Sequence, residues 1–119
     1  MTELDALRAT IEQYVTLCCL LETPPRVSEL AQIIGVSAGT LARQARRNTL
    51  SLAAALKHAQ LVRAEDMLCF TEASTTRIAY ACGFGTRRTF FRAFQRIFGS
   101  TPAQYRDTIR EMRLQRPRA

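Results

Sequence analysis

Five residues between positions 87 and 95 could act together: Arg87, Arg88, Phe91, Arg92 and Gln95. On a helix over about 87–97, Arg88, Phe91, Arg92 and Gln95 cluster on one side, with Arg87 at its flank, because residues three and four apart share a face. Phe90, Phe94 and Ile97 follow the i, i+4, i+7 rhythm on the other side and are expected to face a core. Arginine forks donate to guanine edges and to phosphates, an amide can pair with a base edge, and an apolar group can meet a thymine methyl. Such a face suits the reading of base pairs in a DNA groove. Phe91 either meets the DNA or packs under a neighbouring loop, since Phe90 already takes the core side.

A second helix, expected over about 38–47, is plainer. Gly39, Ala42, Arg43 and Arg46 lie opposite Leu41 and Ala45, and only the arginines can donate to base edges. Arg46 and Arg47 read either as phosphate clamps or as solvated charges. This helix is expected to add affinity more than discrimination. The expected base contacts are Arg43, Arg87, Arg88, Phe91 and Arg92. Backbone or secondary contacts are expected from Ser37, Gly39, Thr40, Ala42, Arg46, Arg47, Thr86, Gln95 and Arg96.

Seventeen Lys and Arg oppose ten Asp and Glu, a net charge of +7 that favours a polyanionic partner, either nucleic acid or an anionic membrane. All but Lys57 of the basic residues are Arg; a GC-rich genome would favour that choice, yet would not create the net charge. No apolar run approaches the roughly 20 residues of a membrane span, and residues 1–25 lack the pattern of a secretory leader, so a cytoplasmic, nucleoid-associated protein is expected. Cys18, Cys19, Cys69 and Cys82 form no C-x-x-C pair, and His58 is the single histidine. Buried reduced thiols are therefore expected, with no metal and no cofactor; a redox switch at Cys18–Cys19 is the alternative. Enzymatic chemistry finds no constellation: Glu65-Asp66 reads as a solvated acidic face, and no glycine-rich phosphate loop is present.

The elements that must position these residues are all helical. Leu4, Leu7, Ile11, Tyr14, Cys18 and Leu21 form one stripe over about 3–22, ended by Thr23-Pro24-Pro25. Short helices follow over about 27–34, with Val27, Leu30, Ala31, Ile33 and Ile34, and over 38–47. Ser37 caps the second of these and Gly35 ends the first. Ser51 caps a long helix over about 52–70 carrying Leu52, Leu56, Ala59, Val62 and Met67. Ser74 starts a helix over 75–82, Thr86 one over 87–97, and Thr101-Pro102 one over 102–113. A basic tail with Arg113, Arg116 and Arg118 follows.

Two segments repeat one another. Leu30-Ala31-x-x-x-Gly35-Val36, with Leu41 and Arg43, corresponds to Ile78-Ala79-x-x-x-Gly83-Phe84, with Phe90 and Arg92. A small residue where helices cross, a glycine at a sharp turn and an apolar plug after it are the grammar of a helix-turn-helix. The expected fold class is all-α, with about seven helices forming two helix-turn-helix subdomains, 1–50 and 71–112, joined by a long central helix, 51–70, and followed by a tail, 113–119.

The stretch Ile78-Ala79-Tyr80-Ala81-Cys82-Gly83-Phe84, followed by Phe90, Arg92, Phe94, Gly99, Thr101-Pro102, Tyr105 and Arg106, resembles the signature of the AraC/XylS family of bacterial transcription regulators. The resemblance implies that the third and sixth helices enter successive major-groove segments on one face of double-stranded DNA. It places base-contacting positions at Gly39, Ala42 and Arg43 and at Arg87, Arg88, Phe91 and Arg92. It further implies an activator that helps recruit RNA polymerase, of the small stand-alone type that acts as a monomer. The rival expectation is a degenerate relative that binds a protein and no longer reads DNA.

Overall fold

The computed structural model describes residues 1–115 and consists of seven α-helices, with no strand among the described residues. They are α1 (Glu3–Leu21), α2 (Val27–Ile34), α3 (Ala38–Arg47), α4 (Leu52–Phe70), α5 (Thr75–Ala81), α6 (Arg87–Phe98) and α7 (Pro102–Leu114). Arg116 and Arg118 of the expected tail lie outside the described residues. Each expected cap is made: Ser37, Ser51, Ser74, Thr86 and Thr101 accept the backbone N–H three residues on. The sequence reading passes over one more, Thr2, which forms a reciprocal capping box with Asp5.

One apolar cluster runs through the molecule. Leu7, Ile11, Tyr14 and Val15 of α1 pack with Leu56, Ala59 and Leu68 of α4, joined by Leu30 and Leu41 from the first helix-turn-helix unit and by Ile78, Phe90 and Phe94 from the second. The Tyr14 hydroxyl ties down the α1–α2 loop, accepting from the Arg26 N–H at 2.8 Å and donating to Glu29 Oε1 at 2.8 Å. The stripe is narrower than its periodicity suggests: Leu21, Ile33 and Val62 are exposed, and Cys69 is half-buried. Ile97, expected in the core, is 54% exposed. Its place is taken by Phe98, which stacks on Phe94 at 4.4 Å and meets Tyr105 of α7 at 5.5 Å. The steps 90, 94 and 98 follow the side of α6 that α7 closes, and Ile97 falls off that line.

Glu65 is not part of a solvated acidic face either. It is half-buried and accepts a hydrogen bond from the Tyr105 hydroxyl, whose pKa that bond pushes up to about 12. Beside it, arginines of α7 close the C-terminal end of α4. Arg106 donates to the Leu68 and Thr71 carbonyls at 3.1 and 3.2 Å, Arg113 to the Cys69 carbonyl at 2.6 Å, and Arg110 pairs with Glu72 at 2.7 Å. The last carbonyls of a helix lack internal partners and carry partial negative charge, so cations belong there. These three arginines serve the fold before any partner.

The α3–α4 connection contains a β-branched residue in left-handed conformation, Thr49, with φ +53. It stands just past the α3 C-cap, while the Leu50 N–H reaches back to the Ala45 carbonyl at 2.8 Å. Thr49→Gly is expected to raise the unfolding free energy by about 0.5–1 kcal/mol, the strain relieved less the extra chain entropy of glycine. Urea denaturation measures it, and a loss of stability would assign the Thr49 side chain a role of its own.

Candidate nucleic-acid interface

The helices α3 and α6 are delivered by the same local device. Their turns use Gly35 and Gly83 at φ +90 and +80. Those glycines are 48 residues apart while the caps, Ser37 and Thr86, are 49 apart, so the second turn holds one extra residue. Gly85, at φ +78, lies in that longer turn.

On each helix the cap hydroxyl donates to the threonine three residues on, and on α3 the relay continues to an arginine. On α3 the Ser37 hydroxyl donates to Thr40 Oγ1 at 2.9 Å, and Arg43 Nη2 donates to the same oxygen at 3.1 Å. The guanidinium lies back over Gly39, where an added Cβ would stand 3.7 Å from Arg43 Nη1. On α6 the Thr86 hydroxyl donates to Thr89 Oγ1 at 2.9 Å, and Arg92 occupies the position equivalent to Arg43. Thr89 was not among the expected contacts; the signal for it was the repeated spacing Ser37-Thr40-Arg43 and Thr86-Thr89-Arg92.

Arg43 and Arg46 on α3, and Arg87, Arg88, Arg92, Gln95 and Arg96 on α6, are exposed, while Leu41, Ala45, Phe90 and Phe94 are buried behind them. Ser37, Gly39 and Thr86 are exposed, and Thr40 and Ala42 half-exposed. Phe91 does not stand free on the solvent face of α6. It is half-buried against the core, edge-on to Phe90 at 6.1 Å, and the Arg87 guanidinium lies over its ring at 4.6 Å. Phe91 is thereby both packing and platform, since a cation over an aromatic face is attracted by the ring quadrupole. Arg47 is neither free nor merely solvated: it pairs with Glu3 of α1 at 2.7 Å, and Asn48 donates to the same carboxylate oxygen at 3.2 Å. This pairing holds the Glu3 carboxyl below its ordinary range.

Taken together, α3 and α6 present exposed hydrogen-bond donors on capped helices backed by a shared core. No group of His, Cys, Asp and Glu that could hold a metal ion occurs among the described residues. Two helix-turn-helix units on one core, each with an arginine-bearing second helix turned to solvent, define a DNA-binding domain of the paired helix-turn-helix class.

Residues 30–108 match the family model described as a helix-turn-helix domain. The HTH-type transcriptional activator RhaS of Yersinia pestis (strain Pestoides F) is 34% identical over 82 residues, covering 68% of this chain and 30% of that protein. The chain therefore matches under a third of the length of this relative. A DNA-binding transcriptional dual regulator from Escherichia coli K-12 superposes with a TM-score of 0.79 at 19% identity, over 88% of this chain and 93% of that one. An AraC-type regulator from Chromobacterium violaceum gives 0.70 at 25% identity, over 85% and 92%. The chain belongs to the AraC-type helix-turn-helix family.

Proposed function

We propose that this chain reads an asymmetric DNA site as a monomer, with α3 and α6 in adjacent major-groove segments, and activates transcription by helping to recruit RNA polymerase. The observation that carries the reading is the repeated exposed arginine: Arg43 and Arg92 stand six residues past equivalent caps, both exposed in front of a buried core, and Arg43 is bonded to Thr40. Adjacent major-groove faces lie about 34 Å apart, a span within the 48 Å long dimension of the molecule. Any misfit in spacing is met by bending the DNA, at a cost of order 1–6 kcal/mol. The units 1–50 and 71–112 act as two readers, and the helix 51–70 sets their separation.

Within this reading Arg88 and Arg92 discriminate bases, Arg43 adds a weaker contact, and Phe91 acts chiefly by holding Arg87 over its ring. Arg46 and Arg96 meet phosphates, and Arg47 does so only by leaving Glu3. Selection of sites from a random DNA pool, followed by footprinting, tests binding and site length together. On the selected site Arg92→Ala is expected to cost about 1–3 kcal/mol and to relax preference at one base step. An unchanged footprint and affinity would remove Arg92 from the reading set. Run-off transcription with purified RNA polymerase separates activation from repression, and sedimentation of the complex gives its stoichiometry.

A further inference from the structure

The long helix α4 is flanked by two grooves of different electrostatic character, one of mixed charge and one basic. The groove against α1 holds Arg8, His58 and Arg63 but also Glu12 and Asp66. The groove between the first half of α4 and α6 has a volume of about 930 Å³ and is lined by Lys57 and His58 from α4 and by Arg92 and Arg96 from α6, with no carboxylate among its lining residues. None of these four side chains enters an ion pair among the described residues. Other basic residues of the chain, by contrast, are paired with carboxylates or bound to carbonyls: Arg47, Arg77, Arg106, Arg110 and Arg113. A basic groove without carboxylates presents a positive field that attracts an anion.

The position of the groove says which anion. Its α4 wall begins a few residues past the end of α3, and its α6 wall is the flank of the reading face, with Arg92 at the edge of both. It thus joins the flank of α6 to the part of α4 that follows α3 in the chain. A duplex engaged by both α3 and α6 must carry its sugar–phosphate backbone across the interval between them, on the stretch between the two read segments. We infer that the α4–α6 groove is a backbone-binding site in which Lys57 and His58 of the central helix contact the phosphodiesters there. This rests on the reading proposed above. It gives α4 a share in DNA binding beyond that of a spacer, and gives the chain's single lysine, a point charge suited to phosphate, a task distinct from the arginine readers.

The test uses two variants of the full chain and its selected DNA site. Ala54 is exposed, lines the groove and is the third residue of α4, after the Ser51 cap. Ala54→Glu therefore completes a Ser-x-x-Glu capping box, so thermal stability is expected to hold or rise. Its carboxylate repels phosphates, and affinity for selected and random DNA is expected to fall alike, by tenfold or more on the order of a single close like-charge contact. Lys57→Gln is expected to lower the salt slope by about one and the affinity about fourfold at about 0.2 M salt, as one lost counterion release requires. Base preference stays unchanged in both. Wild-type affinity and slope in both variants, on a site the parent still selects, would overturn the groove assignment alone. A parent chain that selects no site from the pool would overturn the reading itself.

Discussion

Phe90→Ala is expected to remove about 3–5 kcal/mol of unfolding free energy, a large share of the 5–15 kcal/mol that a domain of this kind possesses. Phe90 is fully buried and forms the hinge of an aromatic set, with ring centroids 5.1 Å from Phe84, 6.1 Å from Phe91 and 5.6 Å from Phe94. Truncation loses the transferred area and leaves a cavity that α6 cannot close. The helix is held there by the Thr86 cap at one end and by Phe98 against Tyr105 at the other. The same residue backs the exposed face of α6, so its loss loosens Phe91 and with it the Arg87 fork above that ring. Urea titration monitored by far-ultraviolet circular dichroism measures the cost, and Phe90→Leu should fall between wild type and Ala. A cost below about 1 kcal/mol would mean that the cluster repacks, contrary to the close-packed behaviour of interiors.

How far the sequence could be read divides along a physical line. Local signals carried the elements: a serine or threonine three residues ahead of a bonded N–H, a glycine at positive φ, a proline in a first turn. All act within one turn of backbone, so Ser37, Thr86 and Thr101 were legible as caps without tertiary knowledge. The repeat made the exposed faces of α3 and α6 legible too, because Leu41 and Phe90 fix which side of each helix is buried and hence which side bears arginines. What the sequence could not show is which charges meet. Arg47 and Glu3 are 44 positions apart, and Tyr105 and Glu65 are 40 apart. Nothing in composition separates an arginine that closes a helix end, such as Arg113, from one left facing solvent, such as Arg88. Ile97 and Phe98 failed for a related reason. Periodicity gives a direction within about one residue, and the location of Tyr105 decides between neighbours.

Gly83 and Gly35 occupy equivalent turns, yet substitution is expected to affect them very differently. Both have positive φ, so alanine at either costs about 1–2 kcal/mol of left-handed strain. At Gly35 an added Cβ meets nothing within 4 Å. At Gly83 it would stand 3.1 Å from Gln60 Nε2, 3.3 Å from Pro24 Cα and 3.3 Å from Pro25 Cδ. The proline contacts involve backbone and ring, which cannot swing aside. Gln60 is buried, and its Nε2 donates to the Cys82 carbonyl at 2.8 Å, so moving it orphans a buried acceptor. Crowding of this kind adds about 1–3 kcal/mol, bringing Gly83→Ala to about 2–5 kcal/mol against about 1–2 for Gly35→Ala. The contact also has geometric meaning, because Pro24 and Pro25 belong to the α1–α2 loop of the first unit while Gly83 belongs to the turn of the second. Relief by a backbone shift changes the separation of α3 and α6, so Gly83→Ala should lose affinity for a two-segment site while retaining much of its weak binding to random DNA. Gly35→Ala, compared below both melting temperatures, should keep its selectivity. A Gln60→Ala change in the Gly83→Ala background recovers part of the crowding and measures the coupling directly. Equal costs at the two glycines, or no coupling to Gln60, would show that the close approach between the units does not constrain them.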